Sequence, residues 1–243
     1  MVEYSTIGEI MFDQWQKYTV VFFSVLMLCL PGFSIYAETA KHIVVIDPAH
    51  GGEDTGVLSI DKVAEKDLTL AIAFALQKEL AKENNIEVIL TRNSDKTLYG
   101  DERKKNIAKQ NPAKQNPALV LSLHANGGFG RNASGFELYY PGFKDVDIPK
   151  KSSKGSVATP SNKHLNDTVK LAHLVQSNLD SLFPRKGRGL READVPLAKG
   201  LSIPVLVVEL GFATNSDDKK KLASSKTQTL IARALAKSIK SFF

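Results

Sequence analysis

The chain has 243 residues, 24% of them charged and 43% hydrophobic, with a formal net charge of +6 and one cysteine, Cys29. A single cysteine excludes a disulfide framework and a thiolate metal site. Lysines and arginines are scattered, and no basic run alternates with aromatic residues. We therefore expect no nucleic-acid partner.

The first 37 residues predict a secretory signal that is not part of the fold. Lys17 precedes an apolar stretch over residues 18–30, and Pro31 and Ala37 follow it. A cation, a short apolar region, a helix breaker and a small residue are typical of such signals, and we expect cleavage after Ala37. The stretch is shorter than the about 20 residues of a membrane span, although a retained N-terminal membrane anchor is the alternative. We expect an exported protein, in the periplasm, the cell envelope or the extracellular space.

Residues 38–243 are predicted to form one domain. They carry 31 basic and 23 acidic residues, a net charge of +8, and they lack cysteine. This surplus favours solubility or attraction to an anionic polymer such as cell wall. Any metal in this part must be held by histidine and carboxylate side chains. The sequence leaves open whether translation starts at Met1 or Met11.

Strand-like and helix-like segments alternate along this domain. Short apolar runs predict strands over residues 43–47, 87–91, 119–123 and 204–208. Apolar residues at helical spacing predict helices over residues 67–82, 101–110, 166–182 and 227–242. Residues 214–217 are typical of a helix start. The alternation predicts an α/β fold, a single three-layer α/β/α domain with a twisted, mainly parallel sheet that is mixed at one edge.

Three further segments are less regular. Residues 135–140 alternate between apolar and polar and predict a strand at the edge of the sheet. Residues 187–191 are predicted to form a loop. Residues 141–162 are rich in Lys, Ser, Pro and Gly, and we expect a mobile loop there, not a linker to a second domain.

Three of the predicted strands end on side chains that can bind a metal or work beside one. The first strand runs into His50, the third into His124 and the last into Glu209. Because the carboxyl ends of parallel strands meet at one edge of a sheet, we expect these side chains to lie close together. Catalytic zinc usually takes three protein ligands and leaves one position for water. The sequence therefore predicts a zinc hydrolase site.

The third ligand must come from a nearby loop. Glu65 stands just before the first predicted helix, whose N-terminus lies at the same sheet edge. Glu209 would then be a general base beside the zinc-bound water, whose pKa falls to about 7. Taken singly, each histidine is typical of a structural residue and Glu65 of a helix-start acid, whereas a buried Glu209 costs free energy unless it is paired. Their combination at one edge favours the metal site.

These motifs resemble a known family over nearly the whole of residues 43–243. The zinc-dependent N-acetylmuramoyl-L-alanine amidases (amidase type 3) are similar at Asp47-Pro48-Ala49-His50-Gly51-Gly52, Glu65, Thr91-Arg92, Ser122-Leu123-His124-Ala125-Asn126 and Glu209-Leu210-Gly211-Phe212-Ala213-Thr214-Asn215. The resemblance implies that His50, Glu65 and His124 bind one Zn²⁺ and that Glu209 is the catalytic glutamate. It also implies hydrolysis of the amide between N-acetylmuramic acid and L-alanine in peptidoglycan, with zinc-bound water as the nucleophile. Ala49 stands where the family usually has glycine, and it would be strained if that backbone required a positive φ.

Four further residues are weaker candidates. Asn126 could bind the substrate amide or stabilise the oxyanion, or it could only cap its turn. Arg188 and Arg191 could bind carboxylates of the stem peptide. Asp47 could orient His50 by accepting a hydrogen bond, or it could only fix its own turn.

Two other functions stay open at this point. One is a zinc peptidase that cuts the stem peptide, and the other is a non-catalytic protein that binds the cell wall. Some family members carry a helical insertion that covers the zinc until an activator removes it, and residues 141–162 are too short and polar to predict such a helix. A protein activator remains an alternative, and we expect a monomer.

Overall fold

The computed structural model describes Trp15 and residues 41–59, 61–109, 117–130, 132–142 and 160–243. Apart from Trp15, the predicted signal and its cleavage position lie outside the described residues. Residues Ala40–Phe243 form one compact unit. None of the helices in the described ranges is long and apolar enough to cross a membrane.

The described residues form six strands and five helices. The strands are β1 (His42–Pro48), β2 (Ile86–Leu90), β3 (Leu119–Asn126), β4 (Phe136–Pro141), β5 (Gly187–Ala193) and β6 (Val205–Phe212). The helices are α1 (Glu65–Leu80), α2 (Gly100–Lys109), α3 (Pro160–Leu182), α4 (Ser216–Ala223) and α5 (Ser225–Phe242). A short 3₁₀ helix, Pro196–Ala198, precedes β6.

The strands form one mixed sheet in the order β2-β1-β3-β6-β4-β5. β1, β2, β3 and β6 run parallel to one another, whereas β4 pairs antiparallel with β6 and parallel with β5. The predicted α/β class and the mainly parallel sheet with a mixed edge are confirmed. The four parallel strands bring the carboxyl ends of β1, β3 and β6 to one edge.

Apolar layers cover both faces of the sheet. Val44 and Ile46 of β1 belong to the larger core cluster, which includes residues of α1, α3 and α5. Their neighbours Ile43 and Val45 belong to a second cluster on the opposite face, together with Ile107 of α2. Successive side chains of a strand point to opposite faces, so a strand buried on both faces is mostly apolar, as β1 is over residues 43–46. This confirms the predicted three layers.

Two predictions near the antiparallel edge are wrong. β4 is not an edge strand, because β5 lies outside it. Residues 187–193, predicted in part as a loop, form this edge strand. β5 is largely exposed and contains two glycines, so it lacks the apolar alternation by which a strand is recognised in sequence.

The other differences concern element boundaries. α1 begins at Glu65, two residues before the predicted start, and α3 begins at Pro160. Residues 160–162 are therefore helical, Pro141 ends β4, and residues 143–159 of the predicted mobile loop lie outside the described residues. Proline suits the first turn of a helix because its missing N–H would have no partner there.

Candidate metal centre

Residues from three strands meet at the carboxyl edge of the parallel part of the sheet. His50 lies two residues beyond β1, and His124 of β3 stands directly opposite Glu209 in the β3–β6 pairing. Glu65 is the first residue of α1. The structure thus brings together the four residues that the sequence singled out for metal chemistry.

Glu65 bridges the two histidines. Its Oε2 lies 3.1 Å from Nε2 of His50, and its Oε1 lies 3.1 Å from Nδ1 of His124. All three side chains offer ligand atoms within 4.8 Å of one another. Ligand atoms about 2.1 Å from a tetrahedral zinc lie roughly 3.4 Å apart. The spacing and the donor types therefore fit a zinc ion.

The carboxylate of Glu65 is fixed from the protein side as well. The backbone N–H groups of Val57 and Ala125 each donate to it at 2.9 Å. Burial alone would raise the pKa of Glu65, but hydrogen bonds with His124 and His50 and from the two amides lower it far below its ordinary value. The hydrogen bond with Glu65 raises the pKa of His50 to about 9 in spite of burial. Glu65 therefore stays charged and favours a cation between the histidines.

Asp54 orients the ring of His50. Its Oδ2 lies 2.9 Å from Nδ1 of His50, which directs Nε2 toward Glu65. The hypothesis that Asp47 accepts this hydrogen bond is wrong. Asp54 could have been found as an acid four residues after His50, but its loop has no regular pattern to indicate where its side chain points.

We expect Asp54→Asn to weaken zinc binding by about 10–100-fold, because an uncharged partner supports the ligand histidine less well. Metal competition with a chromogenic chelator measures the effect. Asp194→Asn, at an exposed aspartate that pairs with Lys199, is the matched control. Unchanged metal affinity in Asp54→Asn would show that the His50–Asp54 contact does not support the site.

Asp47 acts on the backbone of the ligand loop through Arg103. It accepts hydrogen bonds from Thr91, Ser122 and Nη1 of Arg103. Burial alone would raise the pKa of Asp47, but the charge of Arg103 and these hydrogen bonds lower it. Arg103 also donates to the carbonyl oxygens of Pro48 and His50. The side chain of Asp47 thus helps to hold the segment that carries His50, without touching its ring.

His50 itself adopts the left-handed backbone conformation, with φ of 61°. Ala49 is not among the residues with positive φ, so alanine at this position is unstrained. Gly56, which faces the ligands, also has φ of 61°. A Cβ there would lie 2.5 Å from Glu65 Oε2 and 2.5 Å from the His50 ring. Glycine is therefore required where this loop passes the metal ligands.

Glu209 lies beside the ligands with one oxygen unpaired. Its Oε2 is buried and has no hydrogen-bond partner within the described residues. Burial raises the pKa of Glu209 to about 7, and the charges of Glu65 and Glu137 add to this effect. An unpaired buried carboxyl oxygen is costly, which indicates that a molecule in the site supplies its partner.

The metal-free protein should show this cost in its pH dependence. The raised pKa of Glu209 means that stability is lost as pH rises from about 4.5 to about 7, since the charge must then be buried. We expect Glu209→Gln to raise the free energy of unfolding at pH 8 by up to about 3 kcal/mol, and to have little effect near pH 4.5. Urea denaturation at both pH values, with chelator present, measures it. Glu87→Gln, at an exposed position of β2, is the control, and equal effects of Glu209→Gln at both pH values would contradict the argument.

A second acidic side chain, Glu137 of β4, stands directly opposite Glu209 in the antiparallel β4–β6 pairing. Sequence reasoning did not single it out. Burial alone would raise its pKa, but hydrogen bonds from Tyr139 and Arg188 and the charges of Arg188 and Arg191 lower it. The position of Glu137 between apolar and aromatic residues of β4 was the feature of the sequence that could have indicated a functional glutamate.

The weaker predicted residues gather around Glu137. Asn126 Nδ2 donates to it at 2.9 Å, and Nε of Arg188 donates at 2.5 Å. Arg191 lies 3.9 Å away and is largely exposed. Nε of Arg188 is therefore already hydrogen-bonded to Glu137. Binding of stem-peptide carboxylates by Arg188 and Arg191 stays a prediction.

An open cavity of about 660 Å³ adjoins the cluster. Its lining includes His50, His124 and Glu209, and also Asn126, Tyr139 and the 3₁₀ residue Pro196. Such a volume accommodates a ligand of drug size or a segment of a polymer. His50, His124 and Glu209 thus line one accessible space.

Comparison with known proteins agrees with this geometry. Residues 44–241 match the family model described as N-acetylmuramoyl-L-alanine amidase. The chain is 33% identical to the uncharacterized protein YqiI of Bacillus subtilis, over 82% of this chain and 84% of YqiI. It is 32% identical to the N-acetylmuramoyl-L-alanine amidase CwlM of Bacillus licheniformis, over 79% of this chain and 65% of CwlM.

A solved structure shows the same fold. The CwlD amidase of Clostridioides difficile, determined in complex with the GerS lipoprotein, is 27% identical and superimposes with a TM-score of 0.64, covering 83% of this chain and 98% of CwlD. The family model covers most of the chain, and the residues that carry the motifs meet in one site. The chain therefore belongs to the N-acetylmuramoyl-L-alanine amidase family and is an enzyme of that family.

Proposed function

We propose that the protein is a zinc hydrolase that cleaves the amide bond between N-acetylmuramic acid and L-alanine in peptidoglycan. The observation that carries the proposal is the bridged His50–Glu65–His124 set beside the unpaired oxygen of Glu209. Membership of the amidase family supports the choice of substrate. The open cavity beside the cluster is consistent with a polymeric substrate.

The four residues divide the chemistry between them. His50, Glu65 and His124 would hold the ion, which when bound supplies Lewis acidity and makes a water molecule more acidic. Oε2 of Glu209 accepts a proton from the attacking water and passes it to the departing nitrogen of L-alanine. Burial raises the pKa of Glu209 toward neutrality in the metal-free protein, and a group that titrates near neutral pH can both accept and release the proton.

The test is digestion of purified peptidoglycan by residues 38–243 loaded with zinc, with and without a chelator, followed by mass analysis of the soluble products. We expect intact stem peptides that carry a free L-alanine amine, and no release with the chelator. Shortened stem peptides would instead indicate a zinc peptidase. Sedimentation with peptidoglycan without turnover would indicate a wall-binding protein.

Export, a monomeric state and a protein activator are also proposals. The composition of residues 1–37 supports export, with a retained anchor as the alternative. CwlD was determined in complex with a lipoprotein, which supports a search for a protein partner of this chain. Light scattering of residues 38–243, alone and with candidate partners, tests the monomer and the complex.

A further inference from the structure

The buried carboxylate of Glu137 has no role in the mechanism proposed above, yet it lies beside the reacting groups. It is 3% exposed and stands opposite Glu209 in the β4–β6 pairing. Oε1 accepts from Nε of Arg188, and Oε2 accepts from the hydroxyl of Tyr139 at 2.6 Å and from Nδ2 of Asn126 at 2.9 Å. Glu137 is the acceptor in each of these hydrogen bonds.

This arrangement decides which way the amide of Asn126 points. A carboxylate paired with arginine only accepts hydrogen bonds, so the NH₂ group of Asn126 must face Glu137. The carbonyl oxygen Oδ1 is therefore turned away from Glu137. The ambiguity between oxygen and nitrogen in an asparagine side chain is resolved here by its partner.

Asn126 lies two residues after His124, a predicted metal ligand, in β3. The β3–β6 register shifts between His124 and Asn126, but both side chains are partly exposed while Ala125 between them is buried. Both line the cavity that also contains Glu209. Oδ1 is the hydrogen-bond acceptor that Asn126 can offer to a molecule bound there.

We propose that Asn126 Oδ1 accepts a hydrogen bond from the N–H of the scissile amide, and that Glu137 is the positioning residue that fixes this orientation. The inference rests on the proposed function. When the C–N bond breaks, the nitrogen receives a proton from Glu209 and leaves as an amine. An acceptor on that nitrogen binds more strongly as positive charge develops on it, so the contact favours the transition state over the ground state. One N–H of Asn126 Nδ2 is committed to Glu137, and Oδ1 is the acceptor assigned to the scissile amide.

The test compares a soluble N-acetylmuramoyl-L-alanyl peptide with its ester analogue, in which an oxygen replaces the scissile N–H. We expect Asn126→Ala to lower kcat on the amide by about 10–100-fold, the range for a lost hydrogen bond to a charged group. KM should change by less than about threefold. The ester offers no N–H, so the amide-to-ester ratio of kcat should fall by a similar factor. Bound zinc should remain at one per chain.

Glu137→Gln should lower the same ratio, because glutamine can donate as well as accept and no longer fixes the asparagine. Glu137→Asp, which keeps the charge with a shorter reach, replaces it if the glutamine variant does not fold. The effects of Asn126→Ala and Glu137→Gln should be less than additive in the double variant, because both substitutions remove the same contact with the substrate. Asn178→Ala, on α3 and hydrogen-bonded to Leu174 and Ser238, is the matched control.

Three results would overturn the proposal. Equal losses on amide and ester would show a structural role for Asn126. A loss confined to KM would show ground-state binding only. Additive effects in the double variant would separate Asn126 from Glu137. Failure of the unaltered protein to cleave the amide would instead count against the proposed function, so the two failures are distinguishable.

Discussion

Glu209→Gln should reduce kcat on peptidoglycan by at least about 10²–10⁴-fold while the protein retains one zinc per chain. Glutamine has nearly the size of glutamate but cannot accept the proton of the attacking water, and general base catalysis contributes about this factor. The metal should stay because Glu209 is not among the bridged ligands. Release of soluble peptides, measured together with metal content by mass spectrometry, checks both halves of the prediction.

Glu87→Gln makes the same chemical change at an exposed position of β2 and should leave both quantities unaltered. Activity of Glu209→Gln near that of the control would remove Glu209 from the mechanism. Loss of zinc together with activity would make it a ligand instead of a base. Either result would require a different proton acceptor among the residues that line the cavity.

His50→Ala should lose both zinc and activity. It removes one of three predicted protein ligands. Glu65 then keeps one histidine partner, and Asp54 Oδ2 loses its hydrogen bond with His50. Two ligands at a site designed for three bind zinc far more weakly, so the variant should be metal-free after dialysis and inactive at micromolar zinc. Metal analysis after dialysis and a peptide-release assay measure the two effects.

His173→Ala replaces an exposed histidine of α3 and is the control for this change. It should keep zinc and activity. A His50→Ala protein that still binds one zinc per chain would contradict the ligand assignment. Circular dichroism of both variants separates loss of metal from loss of fold.

The sequence could predict that the residues of the candidate metal centre lie close together because the carboxyl ends of parallel strands meet at one edge of the sheet. His50, His124 and Glu209 each follow a short apolar run, and the sheet brings the ends of such runs together whatever the connecting segments are. Glu65 was placed correctly for a similar reason, since the start of a helix that covers the sheet lies at that edge. The three layers followed from strands with an uninterrupted apolar run, such as residues 43–46 of β1.

The residues that were missed depend on contacts between distant segments. Asp54 reaches His50 only because the loop after β1 folds back, and Arg103 reaches the carbonyl of His50 across 53 positions of sequence. Glu137 meets Asn126 and Glu209 because β4 runs against β6, a pairing that a strand-sized pattern does not reveal. β5 was missed because edge strands need little apolar surface.

The left-handed backbone of His50 is held by side chains that never touch a metal. Arg92, 1% exposed, donates to the carbonyl oxygens of Pro48 and Ala49, and Arg103 donates to those of Pro48 and His50. We therefore expect the site to keep its shape without an ion, in contrast to zinc fingers, whose ligands converge only as the metal binds. Stripping the ion should then abolish turnover without melting the domain, and activity should return at the speed of ion entry, with cobalt or another divalent ion of similar size able to take the place of zinc.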